Sequence, residues 1–259
     1  MIVDINTSLG RWPFQRFSIR TAPALARHLR ATGIGPALVT SLDTILFPDP
    51  AVGNAELFRA GKRQPTLVPV PTVNPTLSNW RAIVADGVDL KAVRIVPNYH
   101  EYRLDTPFVR QLVEVLAAEV TPLIIQMRVE DERNQYPLMK VPGVPVADIV
   151  ELANAFPQVP TICLCAYFGE AVELIRKTEN VCVDLSFIET FQTLPTLLEQ
   201  VPATRVLFGS HTPFFYTRPA VMKLEGIRPL AEEYETIGQA NAVRLFGNRG
   251  GRNARLNEQ

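Results

Sequence analysis

The sequence has no net charge: 26 lysines and arginines balance 26 aspartates and glutamates over 259 residues. No basic run stands out, which argues against nucleic acid or an anionic membrane as the main partner. Cysteine is scarce, with only Cys163, Cys165 and Cys182. An odd count without a Cys-x-x-Cys spacing argues against a disulfide framework or a zinc knuckle, and suits buried free thiols in a reducing compartment. No apolar stretch approaches the roughly 20 residues of a membrane helix. The first residues enter a strand without the charged and apolar regions of a signal peptide, so a cytoplasmic location is expected. Internal repeats, linkers and low-complexity blocks are also missing. One domain over residues 1–247 is expected, followed by a polar tail at 248–259.

What is present is an ordinary globular composition, 47% hydrophobic and 20% charged, in a chain long enough to bury a large core. Short β-rich runs fall at 2–6, 37–41, 66–72, 90–97, 123–128, 161–167, 181–186 and 205–210. Helical stretches separate them, at 22–31, 50–60, 78–85, 107–119, 146–155, 171–176 and 195–199, with two more at 219–224 and 231–246. Eight strands alternating with helices predict an α/β fold with a parallel sheet, closed into a (β/α)8 TIM barrel, which typically takes about 250 residues. An open doubly wound sheet is disfavoured, because no Gly-x-Gly-x-x-Gly turn follows the first strand.

A barrel builds its site from the C-terminal ends of its strands. That rule selects Asn6 and Ser8, Asp43, Asn74, Asn98 and His100, Gln126, Arg128 and Glu130, Tyr167, Asp184 and Ser186, and Ser210 and His211. Several polar groups converging on one mouth suit a small-molecule ligand or substrate. His211 has a side chain that titrates near neutrality and serves either as a general base or as a histidine hydrogen-bonded to a nearby carbonyl. Gln126, Arg128 and Glu130 share one strand face, so Arg128 is a candidate clamp for a substrate carboxylate with Glu130 orienting it. The alternative is a salt-bridge network that ties down the loop, the favoured reading for Asp131, Glu132 and Arg133. Asn98 and His100 follow the fourth strand, where His100 either overhangs the mouth or faces solvent. Tyr167 either donates to a ligand or fills space. Asp184 is expected to point inward and to need a partner such as Lys91 or Arg94. Cys163 and Cys165 fall on the same expected face as Tyr167 and read as packing. Trp12 and Phe14 either line a pocket wall or cover the barrel end, and His28 carries no functional signal.

Several fragments resemble the amidohydrolase superfamily, in its amidohydrolase-related branch of metal-dependent decarboxylases and a lactonase. Asp4-x-Asn6-x-Ser8-x-Gly10 is similar to that family's Asp-x-His-x-His-x-Gly opening. Arg205-Val206-Leu207-Phe208-Gly209-Ser210-His211-Thr212-Pro213 is similar to its strand-eight signature Leu-Phe-Gly-Ser-Asp-x-Pro. Val73-Asn74-Pro75, 91–95, 159–169, 180–186 and Asn241-Ala242-Val243-Arg244-Leu245-Phe246 resemble further family segments in the same order. The resemblance implies the barrel and a metal site, yet every implied metal position differs. The first-strand histidines are Asn6 and Ser8, the strand-five ligand is Gln126, the strand-six histidine is Tyr167, and the strand-eight aspartate is His211. One imidazole does not make a site that wants three protein ligands, so no metal and no cofactor are expected.

Two functional readings follow. The first is a metal-independent hydrolase or lyase acting on a small carboxylated substrate, with His211 as base, Arg128 and Glu130 as anchor, and Asn6, Ser8, Asn98, His100, Gln126 and Tyr167 as binding contacts. The second is a catalytically inactive barrel kept as a ligand-binding or scaffold module, which predicts a filled mouth. Association with further copies of the chain is left open.

Overall fold

The computed structural model describes residues 1–85 and 90–247, so the expected tail at 248–259 lies outside the described residues. Eight parallel strands run in chain order: β1 Ile2–Leu9, β2 Ile34–Ser41, β3 Leu67–Pro69, β4 Val93–Ile95, β5 Leu123–Gln126, β6 Thr161–Leu164, β7 Val181–Asp184 and β8 Val206–Leu207. Ladders join β1 through β3 and β4 through β8. The two sheets meet at both seams. Thr72 bridges Arg94 between β3 and β4, while Ile5 N donates to Phe208 O (3.0 Å) and Ser8 N to Thr212 O (2.8 Å) between β1 and β8. The result is the expected (β/α)8 barrel.

Alternation along each strand sorts side chains into two layers. In β5, Ile124 faces inward with Ile5, Leu38, Ile162 and Leu207, whereas Leu123 and Ile125 face outward. The outer layer packs against helices whose apolar stripes repeat at helical spacing. On α1 (Ala22–Ala31), Leu25, Ala26 and Leu29 are buried; on α4 (Pro107–Ala118), Val109, Leu112, Val113 and Leu116 are. Each such Leu or Val contributes about 1.5–3 kcal/mol of burial, so the outer layer is the main source of stability.

Most element bounds differ from the sequence expectation by one to three residues, and three of the differences have a physical cause in the structure. The third strand stops at Pro69 rather than 72, since neither Pro69 nor Pro71 has an N–H to donate to a ladder. The eighth strand stops at Leu207 rather than 210, because Phe208 N donates instead to Ile237 O (3.1 Å). That carbonyl lies in a widened π-helical turn, Thr236–Ala240, which splits the expected 231–246 helix into α9 (Ala231–Glu235) and α10 (Asn241–Phe246). The other helices used below are α6 (Phe168–Lys177) and α8 (Thr217–Glu225).

Candidate functional site

The ends of β1, β5, β6, β7 and β8 bring Asn6, Gln126, Cys165, Asp184, Ser186 and His211 into one buried, mutually bonded cluster. The Asn6 amide Nδ2 donates to Asp184 Oδ2 (3.0 Å) and lies 3.3 Å from Ser186 Oγ and 3.4 Å from Cys165 Sγ. Gln126 Nε2 donates to the Arg128 carbonyl (2.7 Å) and lies 3.1 Å from the same sulfur. Asp184 accepts from Cys165 N (2.7 Å) and Ser186 N (3.3 Å). Its partners are therefore these amides and not Lys91 or Arg94. Arg94 is occupied elsewhere, by the hydroxyls of Thr40, Thr44 and Thr72 and the Ser41 carbonyl at 2.8–3.0 Å.

His211 occupies the mouth side of this cluster and is sealed from solvent. Its Nε2 lies 2.7 Å from the Val129 carbonyl, which can only accept, so the proton sits on Nε2 and the lone pair on Nδ1. Nδ1 faces Asn6 Oδ1 at 3.3 Å and Cys165 Sγ at 3.5 Å. The ring stacks on Phe214 (4.8 Å between centroids, 13° between planes) and meets Phe187 and Phe215 edge-on. Burial pushes its pKa down to about 4, so the imidazole is neutral at neutral pH. Of the two sequence readings, the geometry built here is the histidine bonded to a carbonyl.

Cys165 is the member that strand spacing misplaces. Alternation puts it on the same face as Cys163, but Cys163 packs outward while Cys165 points in. The reason is a left-handed backbone at Cys165, φ +64°, which breaks the period-two rule. Cys165, rather than Tyr167, fills the centre at the end of β6. Burial pushes its thiol pKa well up, which leaves it protonated and a poor nucleophile. The only sequence signal for its position was proximity to the strand-six motif.

The remaining candidates hold structure together. Arg128 is buried, with both terminal nitrogens on Glu170 (2.6 and 2.7 Å), one of them also on the Cys165 carbonyl, and its plane 3.9 Å over the Tyr167 ring. The carboxylate that orients it is thus Glu170 and not Glu130, and the guanidinium edge expected to clamp a substrate is taken. Gly143 has to be glycine for this packing, since a Cβ there would lie 2.5 Å from the guanidinium. Tyr167 is half-buried, and its backbone N–H donates to Glu170 at the start of α6. Asn98 reaches the carbonyls of Met127 and Pro142, tying the loop after β5. His100 is buried on the Thr44 carbonyl (3.0 Å), neither overhanging the mouth nor facing solvent. Ser8 pairs with Thr40 (3.0 Å) on the Arg94 side of the barrel. Asp131 pairs with Arg133, as the loop-tying reading expects.

Above the cluster lies a cavity of about 740 Å³ at the C-terminal end of the barrel. Its floor is shared with the cluster: Val129, Ser186, Ser210, Phe214 and Phe215 separate the two. Its sides come from the loop after β5, with Glu130 and Tyr136, from Phe14 after β1, and from α8, with Lys223. Glu130 is the one residue of the expected catalytic and binding set that lines it, while Lys223 and Tyr136 were not anticipated. Ser210 also starts a row of hydrogen bonds leading away from the cavity. It runs to Thr212 (2.7 Å), then Thr217 (2.6 Å), then His28 Nε2 (2.7 Å) on α1. Beside Ser210, Asp4 accepts from the N–H groups of Asn6 and Ser210, its second oxygen has no partner, and burial pushes its pKa up to about 7.

No family model matches this chain, and no curated protein matches it by sequence. Solved structures do share its fold. The 5-carboxyvanillate decarboxylase LigW from Sphingomonas paucimobilis superposes with a TM-score of 0.72 at 14% identity, over 95% of this chain and 98% of that one. For 2,6-dihydroxybenzoate decarboxylase from Rhizobium the TM-score is 0.74 at 13% identity, over 95% and 98%. A dihydroxybenzoic acid decarboxylase from Polaromonas sp. JS666, solved with manganese and 2-nitroresorcinol, gives 0.72 at 13%, over 95% and 96%. The barrel of this chain therefore shares the fold of these decarboxylases. At the cluster its own residues do not fit a manganese-like ion, which takes carboxylate, carbonyl and water oxygens. Asn6 and Gln126 turn their amide NH2 groups towards the Cys165 sulfur, the oxygens of Asp184 are held by N–H donors, the protonated nitrogen of His211 is held by a carbonyl, and the Cys165 thiol stays protonated. Among the described residues no group of three or more His, Cys, Asp or Glu side chains converges to hold an ion.

Proposed function

We propose that this protein binds a small organic molecule in the cavity above the cluster, and that the cluster itself is a structural plug rather than the reacting centre. The observation that carries this reading is the pairing of an open cavity of about 740 Å³ with a floor whose polar groups are already bonded to one another. The volume falls within the ~300–1,000 Å³ of ligand sites. It also departs from the filled mouth expected of an inactive scaffold. Aromatic walls suit a flat ligand. Ligand-observed NMR with an aromatic fragment set tests it: fragments should bind the wild-type protein and lose affinity in Tyr136→Ala. Absence of any binding at millimolar fragment concentrations would remove the reading.

A second reading is favoured by one feature, the shared wall. Ser186 and Ser210 line the cavity and also bond within the buried groups. A metal-independent hydrolase or lyase would need Phe214 and Phe215 to swing aside so that His211 could act as base. Turnover of an ester, lactone or carboxylic acid that disappears in His211→Ala, with the fold retained, would replace the binding reading with this one.

A further inference from the structure

The charges in the cavity wall define the ligand more narrowly, on the premise that the cavity is the binding site. Lys223 is its one cation among the described residues, and the three donors of its ammonium are all engaged: Glu189 at 2.5 Å and the carbonyls of Leu185 and Ser186 at 3.3 and 3.4 Å. Nothing is left on it for a ligand carboxylate, and Arg128 lies below the floor in its pair with Glu170. Of the acids, Glu189 is matched by Lys223 and Asp131 by Arg133. Glu130 is matched by none: among the described residues it has no cationic partner, and the nearby Trp12 indole N–H does not meet hydrogen-bond geometry. Half-burial already raises the pKa of this carboxyl, the effect that an incoming cation reverses.

The rings beside it point the same way. Phe14 and Tyr136 stack at 5.4 Å and 12°, yet remain 40% and 48% exposed, so they form a solvent-facing aromatic plate next to an unpaired carboxylate. Such a combination attracts organic cations twice, by charge and by the negative face of the rings.

We infer that the cavity selects a flat organic cation, an aromatic amine or ammonium compound, with Glu130 as its counter-ion and the Phe14–Tyr136 plate as its stacking surface. The class of ligand is thereby opposite in charge to the substrates named for the decarboxylases of like fold.

The test uses three probes on one frame, measured by calorimetry on the full chain at pH 7.5: 2-naphthylmethylamine, 2-naphthylmethanol and 2-naphthoate. The amine should bind about tenfold more tightly than the alcohol, and the carboxylate most weakly. Glu130→Gln should remove about that tenfold for the amine and leave the alcohol unchanged, with an unaltered melting temperature as the control for folding. Tyr136→Leu, which keeps bulk without the ring, should weaken the amine more than the alcohol. Binding of the carboxylate as tight as that of the amine overturns the inference while the cavity reading stands. An equal loss for all three probes in Glu130→Gln overturns it too. If none of the three binds, the cavity reading falls and this inference with it.

Discussion

On one side of the wall made by Val129, Ser186, Ser210, Phe214 and Phe215, polar groups meet each other; on the other, they meet solvent. The buried cluster is built around a carboxyl group, Asp184, and surrounds it with amide donors from Asn6, Cys165 and Ser186, so its oxygens are satisfied by hydrogen bonds within the cluster. The cavity contains a carboxylate, Glu130, with no cationic partner among the described residues. A polar side chain inside a barrel therefore does not identify a site by itself. What separates structure from recognition is whether the hydrogen bonds and charges are already satisfied, and here the two conditions lie back to back.

Substitutions should separate the two regions by size of effect. The largest is expected at Gly209, where an added Cβ would lie 2.4 Å from Asp184 Oδ2 and 3.0 Å from Asn6 Cβ. Gly209→Ala should destabilise the protein by about 3 kcal/mol, as overpacking of a close-packed interior does, measured by urea unfolding. A loss under ~0.5 kcal/mol would mean that the cluster is looser than its bonds imply.

The pH dependence of His211 comes next. Its pKa is about 4 when folded and near 6.5 when unfolded, so between these values the unfolded chain binds more protons. Stability contributed by the neutral ring is full above pH 6.5 and is lost as pH falls towards 4. Buried Asp4, with its pKa raised to about 7, acts in the opposite sense, which is why a difference measurement is needed. The stability of wild type minus that of His211→Gln should fall by on the order of 3 kcal/mol between pH 6.5 and 4. A flat difference would place the imidazole in water and dissolve the boundary between the two regions.

Glu170→Gln should cost about 2 kcal/mol at pH 7, less than a fully buried pair because Glu170 keeps a quarter of its side-chain exposure. The smallest effect belongs to the cavity. Glu130→Gln should change stability by less than ~0.5 kcal/mol, since no ion pair among the described residues is lost. A larger loss would move Glu130 to the structural side of the wall.

The fold was almost wholly legible, because alternation and helical spacing are local signals and the eight strands keep them. The interruptions were less so: the stop at Pro69 is a local effect, but the end of β8 depends on Ile237, some thirty residues away. The site was legible in part. Asn6, Gln126, Asp184 and His211 could be brought together from strand ends alone. Cys165 could not, because its left-handed backbone reverses the face that spacing assigns, nor could Glu170, which reaches Arg128 from a helix rather than a strand. The cavity depended on loops and on α8, whose positions no periodicity encodes. Hence Lys223 and Tyr136 were missed, and Glu130 was found for a different role.

The row from Ser210 through Thr212 and Thr217 to His28 has a property that none of its members has singly. Each hydroxyl owns one hydrogen, so a donor at one end leaves every neighbour pointing the same way, like vehicles in a single lane. With a proton on His28 Nε2 the row points towards the cavity and offers a hydrogen at Ser210; with a lone pair there, the row turns around and Ser210 presents oxygen. The polarity of one spot on the cavity wall is thus set by the ionisation and tautomer of a histidine on an outer helix.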